Sequence, residues 1–216
     1  MAYQDWPIKV EQSNVLIVEG KEEKLFFDEL IEHLKLQKIQ IMPIGGKDKL
    51  RSRLKALVST PDFSKVVSLG IVRDADTDPD AAFQSVCDAL RVAKLPAPDR
   101  PLVPIPGNPR VTVMVLPGDN ESGMLEDLCL KSVAQDPAMP CVERYFECLQ
   151  QNNILPDNMS KAKVQAFLAS RPKTGLRLGE AAEKGYWPWD ENIFEQVRIF
   201  LQQLYSKEDI AFKREV

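Results

Sequence analysis

The stretch SLGIVRDADTD, Ser68 to Asp78, decides the fold: an apolar, β-branched run stops in three carboxylates spaced two apart. Such a run reads as a buried strand, and the DPDAAFQSVCDALRVA that overlaps its end reads as a helix. The pattern occurs twice upstream. NVLIVEG (Asn14–Gly20) is a strand feeding the helical KEEKLFFDELIEHLKL, and IQIMPI is a strand followed by the turn and helix of GGKDKLRSRLKALVS. Three strand–helix units in succession predict an α/β fold, a mostly parallel sheet flanked by helices.

Downstream, Leu95 to Arg110 holds six prolines, which exclude helix and leave a loop or a short hairpin arm. VTVMVLPG supplies a fourth strand and ESGMLEDLCLKSVAQ a further helix. Beyond Pro140 the pattern predicts helices over Val142–Asn152, Lys161–Ser170 and Asn192–Ser206, separated by TGLRLGEAAEKGYWPWD. The expected organisation is an α/β core over residues 12–135 and a C-terminal helical extension over 136–216, packed on that core.

Composition narrows the function. A net charge of −4 argues against holding nucleic acid by bulk charge alone and leaves open a metal-bridged site. One histidine, His33, makes a histidine-centred triad improbable, and it reads as a boundary residue of its helix. The four cysteines contain no CxxC pair, so neither a zinc site nor a disulfide framework is suggested. No apolar run reaches membrane-spanning length and the first twelve residues lack a secretory pattern, so the expected location is the cytoplasm, away from membranes.

In an open parallel sheet, ligands bind beyond the carboxyl ends of the strands. Glu19 ends the first strand, Asp74 and Asp76 end the third, and Glu126 follows the fourth. Four acids meeting at one edge repel one another unless cations offset the charge, and Mg²⁺ or Mn²⁺ is the natural cation for oxygen ligands. Residues two apart on an extended segment point the same way, so Asp74 and Asp76 are expected to reach one metal. Asp78 is either a third ligand or the cap of the helix that starts at Pro79.

Gly45 and Gly46 permit close backbone approach and could seat a phosphate, or form only a tight turn. Lys47, Arg51 and Lys55 fall at i, i+4 spacing and are either a track for backbone phosphates or a solvated face. The aromatics of GYWPWD, Tyr186, Trp187 and Trp189, either stack on a base or anchor the extension.

The ordered set VEG, GGK and RDADTD after the first three strands resembles the Toprim domain of topoisomerases, bacterial primases and overcoming-lysogenization-defect (OLD) nucleases. The resemblance covers about residues 13 to 135 and is nearest to short stand-alone OLD-like Toprim proteins, with PGDNESGMLEDL matching their later acidic motif. It implies a Toprim/Rossmann-like sheet, Glu19 as the Toprim glutamate, Asp74 and Asp76 as its DxD pair, and Glu126 as a further metal ligand. KAKVQAFLA followed by RLGEAAEKGYW resembles the group's C-terminal signature and implies Lys163 as a basic residue beside the metals. No ATPase domain, cleavage tyrosine or primase zinc module accompanies these motifs.

The expected function is therefore a Mg²⁺- or Mn²⁺-dependent nuclease, with Glu19, Asp74, Asp76 and Lys163 catalytic and Glu19, Asp74, Asp76 and Glu126 holding metal. The alternative is a non-catalytic or partner-dependent module that binds metal and nucleic acid, working with a separate ATPase. A phosphotransfer receiver also carries acids after its first and third strands, but the Asp74/Asp76 spacing and the GGK turn disfavour it.

Overall fold

Four β-branched, apolar runs become β1 (Asn14–Val18), β2 (Ile39–Pro43), β3 (Ser68–Asp74) and β4 (Arg110–Leu116). All pair in parallel in the order β2-β1-β3-β4. The computed structural model describes residues 9–36 and 38–205; the leader reading of residues 1–8, the expected helix end at Ser206 and the extension's tail to 216 lie outside the described residues.

The helices are α1 (Lys21–His33), α2 (Leu50–Val58), α3 (Pro79–Val92), α4 (Leu125–Ser132), α5 (Met139–Gln151), α6 (Met159–Ala169), α7 (Leu178–Glu183) and α8 (Glu195–Leu204). Side-chain alternation along the strands sends Val15, Ile17, Leu69, Ile71 and Val113 toward α2 and α3. Leu16, Val18, Val72, Met114 and Leu116 face α1, α4 and α8 instead. Both faces of the sheet are therefore covered, as a parallel sheet requires.

Because α1 lies on one face and α2 on the other, the winding reverses between β1 and β3. The crevice at the carboxyl ends of those two strands is where such sheets bind ligands. Glu19 and Asp74 stand at that crevice.

Residues after 135 share the core of the α1 face. Phe200, Leu201 and Leu204 of α8 are fully buried, each contributing about 1.5–3 kcal/mol relative to exposure. Gly70, in the middle of β3, makes the fit possible: a Cβ there would stand 3.0 Å from Phe200 Cζ and 3.2 Å from Leu204 Cδ2. Arg110 at the start of β4 donates to the Gln203 carbonyl and ties down the end of α8.

The GYWPWD aromatics are anchors. Trp187 is buried, stacks on Phe167 and donates from Nε1 to the Leu178 carbonyl at 3.1 Å, while Trp189 meets Phe26 edge-on. Neither tryptophan is left open to stack on a base. His33 sits at the end of α1 with Nε2 3.2 Å from Asp190, the boundary position expected of it.

The proline-rich segment forms a loop whose Ile105 makes one antiparallel bridge to Val111. The helix α7, inside the stretch expected only to separate helices, is six residues long. Its Gly179 N–H donates to Glu22 Oε2 of α1 at 3.0 Å. Tertiary packing against α1, and not its own sequence, sustains so short a helix.

Candidate active site

The polar end of the sheet divides along the strand alternation. Asp74, in register with Val72, turns to the α1–α4 side. There its Oδ1 accepts the N–H of Leu125, the first residue of α4, at 3.0 Å. Partial burial pushes the Asp74 carboxyl well above the usual carboxylate range, and the charges of Glu19, Glu23 and Glu126 push it further. Glu23, in the first turn of α1, is raised mainly by burial and then by Glu19 and Glu126. Glu126 is raised by burial, with Lys161 of α6 acting in the opposite direction. Glu19, Glu23, Asp74 and Glu126 thus form one electrostatically coupled acidic group.

Arg73, in register with Ile71, turns to the α2–α3 side. Its guanidinium donates to Glu19 Oε1, and its other terminal nitrogen lies 3.7 Å from Asp76 Oδ2. Lys47 Nζ donates to the same Asp76 oxygen at 2.8 Å, which raises the lysine's pKa. Glu19 also accepts the Asp74 N–H at 3.2 Å, so it stands between the acidic and the basic halves.

Asp76 departs from the expected arrangement. Its φ of +53° breaks the extended path after Asp74, and its backbone exchanges hydrogen bonds with Gly123 at 2.8 and 2.7 Å. The two aspartates therefore diverge: Asp74 joins the acids, and Asp76 joins Lys47 and Arg73. Asp78 is the N-cap of α3, accepting the Ala81 N–H at 2.9 Å.

Gly45 and Gly46 take φ of +80° and +115°, conformations open to glycine. Their two N–H groups donate to the Glu19 carbonyl at 2.8 and 2.9 Å. They are engaged and do not offer themselves to a phosphate; the turn fixes Glu19 instead. Lys47 lies in a 3₁₀ turn (Lys47–Lys49) ahead of α2, so the helical basic face comprises Arg51 and Lys55 without it.

Lys163 is paired with Glu143 of α5 at 2.6 Å, and the lysine acting on Glu126 is its neighbour Lys161. Glu23 and Arg73 have no place in the sequence expectation. Glu23 reads locally as an ordinary first-turn helix acid. Arg73 adjoins Asp74 in the motif, and a strand arginine pointed at a strand-end glutamate was the available signal.

Among the described residues, no three His, Cys, Asp or Glu side chains are set together to hold a metal ion, and Glu19 and Asp76 are paired with cations. The donor chemistry nevertheless fits one. Every candidate ligand is a carboxylate oxygen, and the charges raising Asp74 are all negative, the imbalance a hard divalent cation offsets.

Comparison with known proteins adds the family and nothing about chemistry. No curated protein and no solved structure matches the chain. The model of a family described as a protein of unknown function, DUF3226, matches residues 13–206, from just before β1 to just past α8. With that span covering the whole sheet, α1 through α8 and the whole site, the chain belongs to the DUF3226 family.

Proposed function

We propose that this protein is a divalent-metal-dependent nuclease of Toprim type, hydrolysing phosphodiesters of DNA or RNA with Mg²⁺ or Mn²⁺. The observation that carries the reading is the Asp74 carboxyl at the winding reversal, raised by partial burial and by three neighbouring acids. A carboxyl perturbed by burial and by specific charged neighbours, placed in a crevice, is a candidate functional position. Asp74, Glu126 and Glu23 would hold the metal, with Glu19 joining them or taking the proton of the attacking water. When bound, the ion supplies charge neutralisation at the phosphoryl oxygens and a water of lowered pKa. Lys161 stands beside the acids to balance charge, and Arg73 would take a phosphate oxygen once Glu19 turns to the metal, with Lys47 close by on Asp76.

The test is cleavage of labelled single- and double-stranded DNA and RNA with Mg²⁺, Mn²⁺ or EDTA. Wild type is expected to cut only with metal, and Asp74→Asn and Glu126→Gln to lose at least about 100-fold. Rates unchanged in both variants would refute the assignment.

A partner-dependent module is the second reading, favoured by the ion pairs that occupy Glu19 and Asp76. Metal binding without cleavage by the isolated chain, and cleavage on adding a separate ATPase, would select it.

A further inference from the structure

Between α2 and α3 lies a cavity of about 430 Å³, linked to the acidic group through Arg73, which lines it and pairs with Glu19. Lys47, Arg51 and Arg73 line it together with the Ser85 hydroxyl, and one acid, Asp48, is on its wall. Its inner surface is Leu50 and Ala89, both buried, so the pocket ends against the packed core of that face. Arg51 makes no ion pair among the described residues, while Lys47 and Arg73 are held by Asp76 and Glu19.

We propose that this pocket receives the terminal phosphate monoester of a nucleic-acid strand and makes the enzyme act from strand ends. The inference rests on the nuclease reading for its reaction, and on the pocket alone for its ligand. Two features select a terminal over an internal phosphate. An internal phosphodiester continues on both sides and suits an open track, whereas a recess closed by Leu50 and Ala89 admits an end. A diester carries one negative charge, but a monoester carries about −1.5 to −2 at neutral pH, a closer match to Lys47, Arg51 and Arg73 once Asp76 and Glu19 release the first and the last. Arginine supplies the forked donors such a group takes, and Ser85 supplies one more.

Metal and phosphate end are linked in this geometry. The carboxylates that now hold Lys47 and Arg73 are candidates for the metal side of the site. Metal binding that draws Glu19 or Asp76 away leaves those cations to the phosphate, and by reciprocity an occupied pocket favours metal binding.

The experiment measures binding of one single-stranded oligonucleotide bearing a 5′-phosphate, a 3′-phosphate or hydroxyls at both ends, by fluorescence anisotropy in EDTA and again with Ca²⁺, an oxygen-binding cation used in place of Mg²⁺. One phosphorylated form is expected to bind about tenfold more tightly than the hydroxyl form, as for one added charge-assisted contact set. Arg51→Ala, at an exposed position without an ion pair, should fold as wild type and abolish the difference. Equal binding of all three forms, or a preference that survives Arg51→Ala, overturns the proposal. So does inorganic phosphate competing as effectively as the oligonucleotide, since the ligand would then be the free ion. Because the readout needs no cleavage, an end preference without any cutting rejects the nuclease reading and keeps the pocket. Cutting without an end preference does the reverse.

Discussion

The core on the α2–α3 face draws its buried side chains from Val10 to Val115, whereas the opposite core draws them from Leu16 to Leu204. The first is closed by neighbouring strand–helix units. The second must bring α4 through α8 back onto strands made far earlier in the chain. The site straddles the two. Its cations, Lys47, Arg51 and Arg73, belong to the short-range side, and its acids meet Lys161 on the long-range side. Phosphate binding and metal binding are thus assigned to halves of the molecule with different structural dependence.

The sharpest way to break that arrangement is at Gly70. Gly70→Ala puts a methyl group against Phe200 and Leu204, an overpacking that costs about 1–3 kcal/mol. A clear fall in Tm is expected, with faster hydrogen exchange in α8 and little change in α2 and α3. Equal acceleration on both faces would show that the cores do not respond separately.

Next in size is pH. The folded pKa values of Asp74, Glu23 and Glu126 lie above ordinary carboxylate values, so the folded protein binds protons more tightly than the unfolded chain. Their contribution is complete below about pH 4 and is lost as pH rises through the raised folded values. Metal-free protein should accordingly melt at a higher temperature at pH 5 than at pH 8, after allowance for the remaining titrating groups by comparison with Asp74→Asn. That variant keeps an acceptor for the Leu125 N–H, so it should melt higher than wild type at pH 8 and show a flatter profile. A wild-type profile no steeper than that of Asp74→Asn would remove the acidic group as a source of instability.

The smallest effect separates two lysines. Lys161→Ala should slow metal-dependent cleavage more than Lys163→Ala does, because only Lys161 acts on Glu126. Lys163→Ala gives up a partly exposed pair with Glu143, worth about 0–1 kcal/mol of stability. A larger rate loss at Lys163 would restore it as the basic residue of the site.

What the sequence disclosed follows the same division. The strands, α1 to α3 and the positions of Glu19, Asp74 and Glu126 at one sheet edge are legible because apolar periodicity and strand ends are local signals. Asp76 departs from the expected direction because alternation holds only while the chain stays extended, and its positive φ ends that. Glu23 and Lys161 carry no local mark; each is an ordinary charged residue near a helix start until α1, α4 and α6 are packed together. The glycine pair after β2 was legible as a turn, but its hold on the Glu19 carbonyl depends on β1 lying alongside.

The seating of α8 against Gly70 also bears on how the protein is made. Synthesis proceeds from the N-terminus, so every segment of the α2–α3 core has left the ribosome once residue 115 is clear. The other face of the same sheet then waits through almost ninety further residues for its cover. During that interval Leu16, Met114 and Leu116 have no α8 to lie beneath, and a nascent chain stalled there presents the kind of apolar surface that chaperones hold.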